Sequence, residues 1–278
     1  MISASVFAIS GRAERSRVEL GAARAIASGF ELGVIPEHGI DQQQPGVYLA
    51  GDDAQRLHSL EQAVTSGSDI AWALRGGYGA TRLGCFEGVD LSASTVLGFS
   101  DVTALLAEVH HAGGTALHGP VLTSFGDCDE ASVTALHAAI AGTARHWPLA
   151  GSSAPFEGPV VGGNLEVLSR LVGCVNAPHY KGRVVVLEEV GEPWYRCDRA
   201  LTHLFSASDL LSARALVFGS FEGCEQGTVE RLIERCRNFG MTCLSGAPVG
   251  HGVANHCFIW GEKARYAEGV LQLCGDEA

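Results

Sequence analysis

Three side chains stand where predicted elements end, and their types are those of nucleophilic catalysis. Ser100 follows the apolar run Thr95-Val96-Leu97-Gly98-Phe99, which reads as a buried strand. From Asp101 onward, Val102, Leu105, Leu106 and Val109 recur at helical spacing. A hydroxyl at this strand-to-helix turn faces the unpaired N–H groups of a helix start, which favour developing negative charge. The same position also suits a plain helix cap. Glu188 and Glu189 end a second apolar run, Val184-Val185-Val186-Leu187. A carboxylate there is either an exposed strand end or a buried group that orients a histidine. His251 lies in Pro248-Val249-Gly250-His251-Gly252, where glycines allow close backbone packing.

Other residues compete for these roles. His118 closes a short apolar segment before Gly119-Pro120 and is the main rival for a base, while His58, His110, His111 and His137 fall in helical segments. The run Arg75-Gly76-Gly77-Tyr78-Gly79 follows an apolar strand and is neither G-x-G-x-x-G nor a P-loop, so it gives little support to nucleotide binding. It is either a bare turn or a place where backbone N–H groups approach a ligand oxygen. An oxyanion hole made from the N–H groups of Gly77 and Asp101 would give the glycines and the helix start one purpose.

The elements that would position these residues are legible in outline. Residues 3–9, 30–35, 70–74 and 115–118 read as strands and 16–28, 52–64 and 131–141 as helices. That alternation is typical of a parallel sheet covered by helices. The inward positions are expected to be Val18, Ala22, Ala25 and Ile26 in the first helix and Leu57, Leu60 and Val64 in the second. Gln42-Gln43-Gln44-Pro45-Gly46 reads as a polar loop. Between Gly142 and Gly158 the composition turns to Pro, Ser, Gly and Ala, which marks a domain boundary, giving domains 1–145 and 158–278. Beyond it, 183–188 and 213–219 read as strands. Residues 195–205 and 228–239 read as helices, the latter with Val229, Leu232, Ile233 and Cys236 on its apolar face.

Composition removes several function classes. The chain of 278 residues is 46% apolar and 18% charged, which suits an ordinary globular protein with one large or two smaller cores. A net charge of -12, without a Lys/Arg cluster, argues against nucleic acid or an anionic membrane as partner. Nothing approaches the roughly 18 consecutive apolar residues of a membrane span. The nine cysteines are scattered without a C-x-x-C pair, which argues against a disulfide scaffold or a zinc site and for thiols in a reducing compartment, the cytoplasm.

Several stretches together resemble the LD-carboxypeptidase family of serine peptidases. They are Tyr48-Leu49-Ala50-Gly51, Arg75-Gly76-Gly77-Tyr78-Gly79-Ala80-Thr81-Arg82-Leu83, Gly98-Phe99-Ser100-Asp101-Val102-Thr103-Ala104-Leu105 and His118-Gly119-Pro120. The second half adds Gly162-Gly163-Asn164-Leu165, Leu187-Glu188-Glu189-Val190-Gly191-Glu192-Pro193-Trp194-Tyr195-Arg196-Cys197-Asp198-Arg199 and Gly250-His251-Gly252. They cover nearly the whole chain in order. One departure is Phe99, where the family more often has Tyr.

The resemblance implies an α/β fold, with an N-terminal Rossmann-like parallel sheet carrying helices on both faces and a smaller C-terminal α/β domain with barrel-like strands. It implies a Ser-Glu-His triad of Ser100, Glu188 and His251, an oxyanion hole from Gly77 and Asp101, and no metal or cofactor. Nucleophile and acid–base pair then come from different domains. The implied reaction is removal of a terminal D-amino acid from an L,D-peptide bond, such as D-alanine from cytoplasmic muropeptide tetrapeptides in cell-wall recycling, by a homodimer. Tyr78, Asn164 and Arg75 are candidates for substrate contact, and Arg82, Arg196 and Arg199 are further candidates for the substrate carboxylate. Two other functions fit the same residues: a microcin-immunity-type peptidase acting on a peptidyl or aminoacyl nucleotide, and a non-catalytic α/β ligand-binding protein.

Overall fold

The computed structural model describes residues 1–40, 47–84 and 86–274; the predicted loop at Gln42-Gln43-Gln44-Pro45-Gly46 and the thiol of Cys85 lie outside them. The chain forms two compact units, Met1–Asp129 and Glu130–Ala278. No helix among the described residues is long and apolar enough to cross a membrane, and no disulfide joins any two of the described cysteines.

The first unit is built on parallel strands β1 (Ile2–Phe7), β2 (Phe30–Leu32), β3 (Ile70–Ala73), β4 (Thr95–Gly98) and β5 (Thr115–His118), in the order β5-β4-β3-β1-β2. Parallel neighbours need crossover connections, and helices α1 (Arg15–Ala27), α2 (Asp53–Thr65) and α3 (Thr103–Ala112) supply them, followed by the single turn α4 (Leu122–Phe125). β3 is buried at every residue, as a central parallel strand should be. Trp72 sits between Phe30 and Phe125 with ring centroids 5.1 and 5.0 Å away, and its indole N–H donates to the Pro120 carbonyl at 2.8 Å. Asp52 caps α2 in a reciprocal capping box with Gln55.

Two helix faces differ from the sequence reading. α1 buries Val18, Gly21 and Ala25 and exposes Ile26. α2 turns Arg56, Ser59, Leu60 and Ala63 inward and leaves Leu57 and Val64 only half-buried. The cause in α2 is polar: the Arg56 guanidinium is drawn under the sheet edge by backbone carbonyls, described below.

The second unit opens with α5 (Glu130–Ile140) and holds strands β6 (Arg145–Pro148), β7 (Phe156–Asn164), β8 (Val184–Val190), β9 (Ala215–Glu222), β10 (Cys243–Ser245), the two-residue β11 (Phe258–Ile259), β12 (Lys263–Ala267) and β13 (Val270–Cys274). Seven of these strands form one sheet in the order β10-β9-β8-β7-β12-β13-β6, parallel from β10 to β7 and antiparallel from there on. β7 makes the change of sense. Its first residues pair with β12 and its last five with β8. The sheet curls as a half-barrel, and a bridge between Ala150, just after β6, and Ser245 of β10 joins its two edges. Helices α6 (Leu165–Arg170), α7 (Trp194–Ala207) and α8 (Thr228–Asn238) accompany it. α8 buries Leu232 and Cys236 and half-buries Val229 and Ile233, the face its spacing predicts.

Candidate active site

In the first unit the carboxyl ends of β1, β3 and β4 bring three turns together, the edge where open α/β sheets place their ligands. Ser100 begins a single 3₁₀ turn (Ser100–Val102) that leads into α3. Its φ is +63°, against −155° for Phe99 before it. A left-handed non-glycine residue costs about 1–2 kcal/mol, and such a conformation persists only where its surroundings fix it. Strand, left-handed serine and helix in succession give a sharp turn of the shape that nucleophile elbows take.

The glycine loop packs onto this turn. A Cβ on Gly76 would lie 2.9 Å from Ser100 Cβ and 3.1 Å from its Oγ, so only glycine lets the loop come this close. Gly77 has φ +109°, and a Cβ there would meet the Tyr48 hydroxyl at 2.4 Å. Among the described residues neither the Gly77 nor the Asp101 N–H is paired with a backbone carbonyl. Both are open to an acceptor, the Asp101 group because a helix start has none of its own. Tyr78 is half exposed, its ring 6.5 Å from that of Tyr48, and the exposed Arg75 donates to the Arg12 carbonyl. Arg82 is paired with Asp53 at 3.1 Å.

Below the loop lies a polar network that the sequence does not reveal. The buried Asp101 carboxylate accepts the Ser10 hydroxyl at 2.6 Å and the Ala80 N–H at 2.8 Å on one oxygen. Burial pushes this carboxyl above the usual range, while the two hydrogen bonds and the Arg56 charge hold it down. Arg56, with no exposed surface, donates to the carbonyls of Ile9 and Gly79 and pairs with Asp53. His118 is buried at the end of β5, its ring edge-on to Phe99 with centroids 6.0 Å apart.

In the second unit His251 Nδ1 lies 2.8 Å from Glu188 Oε2. Glu188 has no exposed surface, and the His251 side chain is 18% exposed. Burial alone would lower the imidazole pKa. The hydrogen bond to Glu188 and the charges of Glu188, Glu189 and Glu222 outweigh it, so the net shift is upward. A bulge makes this meeting possible. β8 and β9 pair in step from Val184↔Ala215 to Leu187↔Phe218, then resume at Glu189↔Phe221, so Gly219 and Ser220 together oppose Glu188. The Ser220 N–H donates to the Val249 carbonyl at 2.7 Å, tying the His251 loop to the bulge. Asn255 closes that loop by accepting the Gly250 N–H, and its own N–H donates to Ser132.

Successive strand residues face opposite sides, and Glu189 accordingly points away from His251. It accepts from the Asn164 amide, from the Glu166 N–H in the first turn of α6, and from its own neighbour Val190. Burial, and next the charge of Glu188, push its carboxyl up to about 7. Asn164 is buried as well, and its side-chain oxygen caps α6 through the Val167 N–H. Arg196 pairs with Glu192 at 3.2 Å, and Arg199 lies over the Tyr195 ring at 5.9 Å.

Known proteins match both units. Residues 4–119 match the LD-carboxypeptidase N-terminal domain and residues 157–266 the LD-carboxypeptidase C-terminal domain. The chain belongs to the LD-carboxypeptidase family. It is thus a hydrolase of carboxypeptidase type. The murein tetrapeptide carboxypeptidase of Pseudomonas aeruginosa is 34% identical over 245 residues, 78% of each chain. Among solved structures, a muramoyltetrapeptide carboxypeptidase from Oxalobacter formigenes matches with a TM-score of 0.83 at 23% identity, over 99% of this chain and 100% of that one. The microcin immunity protein MccF in complex with glutamyl sulfamoyl guanosine matches with a TM-score of 0.84 at 18% identity, over 99% and 96%. At those identities the two structures speak for the fold alone.

Proposed function

We propose that the protein is a serine-type L,D-carboxypeptidase that releases the terminal D-alanine of muropeptide tetrapeptides in cell-wall recycling. Ser100 is the nucleophile, His251 the general base and Glu188 the acid that orients it. The observation that carries this assignment is the 2.8 Å contact between the imidazole and a fully buried carboxylate, which leaves His251 Nε2 as the working nitrogen.

In this reading His251 takes the Ser100 proton as Oγ attacks the carbonyl of the L,D bond, and Glu188 stabilises the imidazolium. The N–H groups of Gly77 and Asp101 receive the oxyanion, each typically worth roughly 3–4 kcal/mol. His251 then gives its proton to the departing D-alanine amine. Water, deprotonated by the same imidazole, releases the tripeptide from Ser100. Of the residues proposed for substrate contact, Arg75 and Tyr78 are exposed on the glycine loop, whereas Asn164 is buried and already serves α6 and Glu189. The loop pair is therefore the better candidate for holding the substrate carboxylate. We place the enzyme in the cytoplasm as a homodimer, in keeping with its scattered thiols and with the family it belongs to.

The first relative, a murein tetrapeptide carboxypeptidase, favours this substrate over an aminoacyl nucleotide, because the likeness to MccF is one of fold. The test is mass spectrometry of a muropeptide tetrapeptide incubated with the protein. Loss of one alanine, of D configuration, is expected from the wild type and not from folded Ser100→Ala. An unchanged tetrapeptide, or full activity in Ser100→Ala, would overturn the assignment.

A further inference from the structure

We propose that Asp101 and Arg56 are positioning residues that clamp the glycine loop against the Ser100 turn and thereby set the geometry of the oxyanion hole. The proposal rests on Ser100 acting as nucleophile. The Asp101 side chain is not needed to start α3, since α3 has no side-chain cap. Instead it leaves the nucleophile turn and joins two other turns. One oxygen holds Ser10, in the turn that follows β1, and Ala80, which directly follows Gly76-Gly77-Tyr78-Gly79. Arg56 grips the same two segments from beneath, through the carbonyls of Ile9 and Gly79. Ile9 and Ser10 adjoin, as do Gly79 and Ala80. The carboxylate therefore takes its donors, the Ser10 hydroxyl and the Ala80 N–H, and the guanidinium takes its acceptors, two backbone carbonyls, from the same two short stretches of chain.

Both grips are buried: Asp101 is 4% exposed and Arg56 0%. Buried charged hydrogen bonds of this kind are stiff, since breaking one strands an uncompensated polar group. What they hold in place is the backbone between Arg75 and Ala80, whose Gly77 N–H is the proposed second oxyanion donor. The first donor, the Asp101 N–H, belongs to the residue whose side chain anchors the loop. One residue would thus fix the distance between the two donors.

Such a role predicts a loss in turnover rather than in binding, because the oxyanion forms only in the transition state. Asp101→Ala should lower kcat on the order of 10²-fold with KM little changed, the scale of a small misplacement of reacting groups. Asp101→Asn should restore most of that activity, since its carbonyl oxygen can accept both donors. Ser10→Ala, which removes one tie and leaves the fold intact, should lower kcat by a smaller factor. The readouts are kcat and KM for D-alanine release and, independently of the natural substrate, the rate at which an alkyl fluorophosphonate labels Ser100, followed by intact mass. Wild-type protein that is labelled but releases no D-alanine would sink the substrate assignment and leave the clamp standing. Folded Asp101→Ala, or Ser10→Ala if the former does not fold, with wild-type kcat and wild-type labelling would overturn the clamp.

Discussion

His251 and Glu188 meet through a single 2.8 Å contact from a partly open ring to a carboxylate closed off from solvent, while Glu189, the next residue along the strand, is turned into a separate cluster with Asn164 and Glu166. The two carboxylates should therefore respond differently to the same change. Glu188→Gln is expected to lower kcat by roughly three orders of magnitude or more, because an amide cannot hold the imidazole in the required tautomer or balance its charge. Glu189→Gln is expected to leave kcat within a few-fold and to lose stability, about 1–3 kcal/mol, because one amide edge would face the Glu166 N–H donor to donor. Steady-state kinetics and thermal melts of both variants check this, and the opposite ranking would move the acid to Glu189.

The upward shift of His251 predicts a pH profile. A general base works unprotonated, so kcat/KM should climb as pH rises through the folded-state value, with a midpoint above the ordinary value of about 6.5. Burial opposes the shift and Glu188 supplies most of it, so in Glu188→Gln the residual activity should show a lower midpoint. The sign for stability is the reverse. The imidazolium–carboxylate pair stabilises the fold fully below about 6.5, and its contribution fades as pH rises through the folded-state value. Chemical denaturation at several pH values, wild type against His251→Ala, measures it.

The left-handed backbone of Ser100 can be weighed directly. Replacing it with glycine removes the steric cost and replacing it with alanine keeps it, so Ser100→Gly should be more stable than Ser100→Ala by about 1 kcal/mol. Both should be inactive. Equal melting temperatures would show that the turn carries no strain.

Gly76 offers a purely steric probe. Its φ is not left-handed, so Gly76→Ala introduces a methyl without a backbone penalty, and that methyl would press on Ser100 Cβ and Oγ. Activity should fall on the order of 10²-fold through displacement of the nucleophile, with a stability cost of about 1–3 kcal/mol for overpacking. Wild-type fluorophosphonate labelling in this variant would refute the contact.

Much of this was readable in the chain. The strand at Thr95–Gly98, the inward Val102 of the 3₁₀ turn with Leu105, Leu106 and Val109 of α3, and the strand that carries Glu188 follow from local apolar patterning, which reports burial segment by segment. What escaped depends on partners far along the chain. Arg56 lies outside the inward positions expected for its helix, Leu57, Leu60 and Val64, and the carbonyls of Ile9 and Gly79 draw it inside. The Ser100 conformation is imposed by the turns around it, since nothing in Gly-Phe-Ser-Asp demands a positive φ. Which of Glu188 and Glu189 faces His251 is settled opposite a bulge some thirty residues downstream in β9, beyond the reach of any periodicity in β8.

That bulge makes the second unit sensitive to chain length in a way no point substitution would reveal. Losing one codon at Gly219 or Ser220 would let β8 and β9 run in unbroken register, a tidier sheet by every hydrogen-bond count. It would also advance Phe221 and Glu222 by a place and pull the Val249 carbonyl off its donor, carrying the His251 loop away from Glu188. For this family member the irregular ladder is the heritable part of the proposed acid–base pair, and a deletion that regularised the ladder is expected to cost the proposed reaction.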